Sequence, residues 1–115
     1  MKTFPIFIVS PKVVSFFEAF SPIKIGAITL FCIVISKEEL CDQVKNHERI
    51  HYHQYLELYV IGFLLFYVFF WIKNLAQGMS GSEAYMNIPF EKEAYDKQHD
   101  FKYLESREKF SWRKY

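Results

Sequence analysis

The chain has 115 residues and a formal charge of +1. That length suits one domain, and the charge balance excludes an electrostatic nucleic-acid binder. Aromatic residues make up 20% of the chain, with 13 Phe and 8 Tyr, which excludes a disordered polypeptide. It is also more aromatic surface than a small core can hide, so some of it is expected to meet lipid or a partner.

Residues 1–9 hold a short apolar run interrupted by Pro5, with no small-residue cleavage site after it. They read as part of the mature fold and not as a cleavable signal peptide. Ile6–Val9, between Pro5 and Pro11, predicts a strand, and residues 13–20 predict one or two helical turns ended by Ser21 and Pro22. Residues 28–35 form an eight-residue apolar run rich in β-branched side chains, which predicts a single buried strand. Cys32 lies inside that run and reads as a small core residue, whereas Cys41 sits among charges. Neither has CxxC spacing, so both are expected to be free thiols of a reducing compartment.

A helix is expected to begin at the Ser36-Lys37-Glu38-Glu39 capping-box pattern, or later near Asp42 or Asn46. It carries His47-Glu48-Arg49-Ile50-His51, an HExxH pentad. Positions four apart share a helix face, so His47 and His51 can grip one divalent metal, usually zinc. Glu48 stands beside them as a base for a water activated by that metal. The same face is expected to continue through Gln54, Tyr55, Leu58 and Gly62, with Gly62 admitting a close neighbour or marking a bend. Gln54 and Glu57 are expected to support the ligand histidines. His53 reads as a surface or core-edge residue and His99 as a surface residue, and Arg49 is expected to pair with Glu39 or Glu93.

Residues 58–72 are apolar throughout, counting Gly62 and the tyrosines. As a helix they span roughly 22 Å, short of the ~30 Å hydrocarbon core. This predicts a core helix with a lipid-facing side, or an interfacial or re-entrant segment. Residues 77–82 read as a loop. Pro89 marks the first turn of another helix, with Asn87 or Ile88 at its cap. The tail, residues 101–115, mixes cations with aromatics such as Trp112 and Tyr115, a pattern suited to anionic headgroups.

Catalytic zinc normally takes three protein ligands and leaves one position open. Glu91, forty residues after His51 and in the first turn of the last helix, is the candidate for the third. Glu93 competes with it. Two residues apart on a helix means nearly opposite faces, so one of the two should serve.

The pentad together with Glu91-Lys92-Glu93-Ala94-Tyr95 resembles the gluzincin metallopeptidases, most closely the HtpX and CAAX-prenyl-protease type. In that group a Glu-x-x-Ala-Asp segment supplies the third zinc ligand. Aligned on Ala94, the resemblance implies Glu91 as that ligand. Gln54 and residues 89–94 are also similar to small bacterial HExxH domains of unknown function, and most of the chain is similar to short uncharacterised Bacteroidetes proteins. Tyr95 replaces the family's Asp, whose usual role is to orient a zinc-bound histidine. Tyr95 faces the same way as Glu91 and is expected to hydrogen-bond a ligand or polarise a substrate carbonyl, while Asp96 points elsewhere. The strand preceding the helix is the one that, in such peptidases, pairs with extended substrate.

The expected protein is a single α+β, mostly helical, minimal zincin-like domain with a small β element, a long HExxH helix and a second ligand-bearing helix. It would hold one zinc ion per chain on His47, His51 and Glu91 and hydrolyse a peptide or protein substrate with Glu48 as base. The alternative is a catalytically weak or inactive metal-binding subunit of a membrane-associated assembly. Both readings place it at a membrane, in a bacterium.

Overall fold

A computed structural model describes residues 5–19, 27–30 and 32–115. Ile6–Val9 forms β1, and α1 follows at Pro11–Glu18 with proline in its first turn, where the missing N–H costs nothing. Phe20, Ser21 and Pro22, expected to close that helix, lie outside the described residues. The apolar run predicted as one strand folds back on itself as β2, Ala27–Leu30, and β3, Ile33–Ser36. An unbroken apolar run carries no turn signal, so periodicity read the hairpin as one strand. Cys32 therefore sits half-buried at the turn and not in the core, and Cys41 is exposed; both are free thiols.

The sheet order is β1-β3-β2, with β1 parallel and β2 antiparallel to β3. Val34 and Ser36 alternate inward along β3, as a half-buried strand requires. Ser36 ends this strand, and its Oγ donates to the Glu38 carbonyl at 2.6 Å. It does not cap a helix. The pentad helix, α2, starts at Asp42 and runs to Glu57.

α2 does not continue into the apolar run. Tyr59 and Val60 both take positive φ, and the N–H of Ile61 closes a three-residue γ-turn on the Tyr59 carbonyl at 2.6 Å. The chain turns by 111° into α3, Ile61–Ala76. Leu58 and Gly62 are thereby removed from the metal-facing stripe predicted for them. A Cβ on Gly62 would stand 3.3 Å from that of Leu58, so glycine suits the tight entry. α3 ends where Gly78, at φ +93, lets its own N–H reach the Leu75 carbonyl and that of Met79 reach Asn74.

The expected loop over residues 77–82 is shorter than predicted, because α4, Gly81–Met86, begins inside it. The capping box lies here: Glu83 N–H donates to Ser80 Oγ, and Ser80 N–H to the Glu83 carboxylate. α5, Pro89–Lys97, starts as expected, with Ile88 at its cap. A short α6, Tyr103–Ser106, and a 3₁₀ turn at Ser111–Lys114 close the chain. The protein is thus α+β and mostly helical, with a small three-stranded sheet.

The helical core is an aromatic stack. Phe90, fully buried, lies 4.6 Å from Phe63 and 4.8 Å from Trp112 between ring centroids, and Phe63 stacks on Tyr55 at 4.0 Å. It joins α2, α3 and α5 to the closing turn just beneath the pentad. Phe90→Ala should cost about 3–5 kcal/mol, a large share of a small domain's roughly 5–15 kcal/mol. Urea unfolding followed by circular dichroism measures it.

Candidate metal centre

α2 presents His47 and His51 one turn apart, and α5 brings Glu91 against them from its own first turn. His47 Nε2 and His51 Nε2 are 3.2 Å apart. Glu91 Oε1 lies 3.1 Å from His51 Nε2 and 3.3 Å from His47 Nε2. All three residues are only 4–5% exposed. His47, Glu48 and His51 also offer potential ligand atoms within 4.8 Å of one another. Glu48 Oε1, however, stands 4.0 Å from His47 Nε2, so Glu91 is the carboxylate that closes the triangle.

The hydrogen-bond roles in this triangle follow from its neighbours. The Gln54 amide NH₂ donates to the Phe90 carbonyl at 3.1 Å and to Glu93 Oε1 at 2.9 Å, neither of which can donate back. Gln54 Oε1 therefore faces His51 Nδ1 at 2.7 Å, so Nδ1 must carry the proton. His47 Nδ1 likewise donates to Gln98 Oε1 at 2.8 Å. Both neutral imidazoles then turn the lone pair of Nε2 inward, toward a carboxylate oxygen. Three acceptors converge with no donor among them, which only a cation or an added proton relieves.

The donor set fits a divalent metal. Two ligand atoms about 2.0–2.1 Å from a tetrahedral ion stand roughly 3.3–3.4 Å apart, close to the separations observed. Without metal, the same field holds a proton. Burial alone would lower the pKa of His51, but the charge of Glu91 and their hydrogen bond outweigh it and raise the value to about 9. Burial works to raise the pKa of Glu91, yet His51 and His47 hold its carboxyl well below the usual range.

Tyr67 of α3 donates to Glu91 Oε2 at 2.8 Å, leaving Oε1 for the centre. Burial first, then the charge of Glu91, keeps this phenol protonated well beyond the normal range. Asn46 Nδ2 reaches the carbonyls of Gln98 and Asp100 at 3.0 and 3.1 Å, tying the end of α5 to α2 and setting Gln98 against His47.

Glu93 points the opposite way from Glu91, as helix geometry requires, and is fully buried. It accepts from Arg107 Nε at 2.6 Å, from Tyr103 at 2.5 Å and from Gln54. Those bonds overcome burial and keep it ionised. Arg107 also pairs with Glu57 through both terminal nitrogens. Glu57 thus holds Arg107 and not a ligand histidine, correcting its expected role. Arg49 does not pair with Glu39 or Glu93 either: it lies 5.3 Å over the Phe7 ring, Glu39 meets Lys45, and Glu93 takes Arg107.

Tyr95 packs its ring on His47 at 4.4 Å between centroids, but its hydroxyl meets that of Tyr85 at 3.1 Å and not a ligand. Asp96 accepts from Tyr115 at 2.7 Å, away from the centre. The groups that orient the histidines are two amides, Gln54 as expected and Gln98, which was not. Gln54 was legible from its place one turn after His51. Gln98, Tyr67, Tyr85 and Arg107 had no local signal, because each arrives from another element.

β3, which leads into α2, has β1 on one side and β2 on the other, so it offers no free edge to a substrate strand. A cavity of about 190 Å³ lies beside Lys97, Tyr103 and Tyr115 and is not lined by His47, Glu48, His51 or Glu91. Tyr95, whose ring packs on His47, is 37% exposed. No protein-family model, curated protein or solved structure matches the chain.

Replacing Gln54 by Leu should weaken metal binding by about 10–100-fold with all three ligands intact. Competition against a chelating dye reads this. In chelator, the charged His51–Glu91 pair should contribute stability fully below the unfolded histidine value of 6.5 and lose it as pH rises through about 9. The melting temperature of the metal-free protein should therefore fall across that interval, and His51→Gln should flatten the profile.

Proposed function

We propose that this protein is a zinc-dependent, peptidase-like hydrolase of zincin type, with His47, His51 and Glu91 as ligands. The observation that carries the reading is the triangle of inward lone pairs at 3.1–3.3 Å with Glu48 just outside it. Two imidazoles and one carboxylate at tetrahedral spacing, with a position left open, suit catalytic zinc. The bound metal supplies polarisation of a scissile carbonyl and acidification of a water.

The chain's own residues do the rest. Glu48 accepts the proton of the attacking water and passes it to the leaving amine. Glu91 cannot share that role, because Oε1 faces the imidazoles and Oε2 holds Tyr67. Burial keeps Tyr85 and Tyr95 protonated. Their mutual hydrogen bond uses one phenolic hydrogen and leaves the other for a substrate carbonyl. The substrate is then a peptide or protein.

A second reading is a metal kept for folding, in a subunit of a membrane-associated assembly. The burial of all three ligands favours it, and structural zinc can contribute roughly 10–16 kcal/mol in small peptides. Glu48 separates the two readings, because a purely structural site has no use for a base. Glu48→Gln should retain one metal per chain by elemental analysis while hydrolysis of a peptide library falls by about 10²–10⁴. Equal activity in both proteins, or none in the wild type, would leave only the structural role.

A further inference from the structure

We propose that the outward face of α3 docks on an anionic lipid bilayer, with the helix lying in the plane of the interface. The proposal goes beyond the hydrolase reading and does not rest on it. Ile61, Leu64, Leu65, Val68, Phe69 and Ile72 are each 47–69% exposed. Their spacing places them on one face, an arc of about 140°. A stripe this apolar is more than a lone soluble domain normally shows to water.

Three observations select lipid as the occupant. The stripe has no polar side chain, so it offers none of the hydrogen bonds by which protein interfaces are usually specified. Charge near it is net positive, since residues 101–115 hold five Lys or Arg against two Glu. Between Glu57 and Glu83 the only Asp, Glu, Lys or Arg is Lys73, exposed in the last turn of α3. Trp112 of the C-terminal segment packs beside Phe66 and Phe70 of α3, at 6.2 and 6.4 Å, and that segment carries the exposed cations Lys109, Arg113 and Lys114 against the exposed Glu105 and Glu108. This net positive charge complements anionic headgroups. A second copy on the same face would instead bring matching cations together.

Length sets the orientation. Sixteen residues give about 24 Å, below the ~30 Å core, and no single helix among the described residues is long and apolar enough to cross a membrane. The bent pair α2–α3 could reach across by length and composition, but α2 is polar and is buried through His47, Glu48 and His51, so α3 lying in the interface is the placement that fits. Tyr59, 88% exposed at the turn into α3, would sit at headgroup level. The inner face of the same helix carries Tyr67, which holds Glu91. Docking therefore sets the metal centre about one helix diameter, ~10 Å, above the lipid.

The test is flotation of the full chain with phosphatidylcholine vesicles made with and without phosphatidylglycerol, which separates bound protein from sedimenting aggregate. Wild type should float best with phosphatidylglycerol. Leu65→Glu with Phe69→Glu should lower partitioning by about tenfold or more on either vesicle. Lys109→Gln with Arg113→Gln, which leaves the apolar stripe untouched, should lose about fivefold per cation on anionic vesicles and nothing on neutral ones. Both pairs are on the surface, and thermal melting checks that they fold. Glu48→Gln should float like wild type, so loss of hydrolysis and loss of docking are told apart. The proposal is overturned if wild type stays out of the floating fraction with both vesicles, or if the Glu pair floats equally well. It is also overturned if light scattering shows a dimer that the Glu pair dissolves while vesicle binding is absent.

Discussion

The centre depends on one hydrogen bond whose direction cannot be reversed. Gln54 must give its NH₂ to a backbone carbonyl and a carboxylate, so only its oxygen can face His51. That puts the imidazole proton on Nδ1 and the lone pair on Nε2, toward His47 and Glu91. Behind Gln54 the constraint continues through Glu93 to Arg107 and Glu57. A buried carboxylate without Arg107 would be costly to keep charged, and an uncharged Glu93 could donate to Gln54 and let its amide turn over. The C-terminal segment therefore helps set the tautomer of a histidine it does not touch.

Orientation by amides has a chemical consequence. A carboxylate behind a metal-bound histidine makes the imidazole a stronger donor; an amide oxygen fixes the ring with less charge. The negative charge at the centre is concentrated in Glu91 and Glu48 and not spread behind the ligands. Glu91 is itself held by the Tyr67 phenol, a neutral donor that does not compete for the ion. α3 thus has two unlike faces. One supports Glu91 and the aromatic core; the other is apolar and open.

Much of the helical half was legible in the sequence. The pentad spacing placed His47 and His51 together, and the two-residue offset between Glu91 and Glu93 required that only one join them. Pro89 located the start of α5, and Pro11 lies in the first turn of α1. The misses share a cause. The run containing β2 and β3 is apolar on both sides of its turn, and the apolar stretch after Glu57 hides a backbone reversal at Tyr59 and Val60. Hydrophobic periodicity reports burial and not direction, so it registered neither bend, and Gly62 alone pointed to the second. Ser36 and Ser80 both begin S-x-x-E patterns, yet only Ser80 caps a helix. Strand pairing claimed the other.

By itself the sequence determined which residues can bind a metal and which faces they share, because helix geometry ties spacing in the chain to spacing in space over one or two turns. It also determined that one helix would be apolar all round. Only the tertiary structure decided that Glu91 is the carboxylate at the histidines, that Gln98 joins Gln54 in orienting them, that Tyr67 holds Glu91, and that Arg107 neutralises Glu93. Glu91 with His51, Gln98 with His47, Tyr67 with Glu91 and Arg107 with Glu93 lie 14 to 51 positions apart. Over such distances the meeting of two side chains is set by how elements pack, and packing depends on the whole core at once.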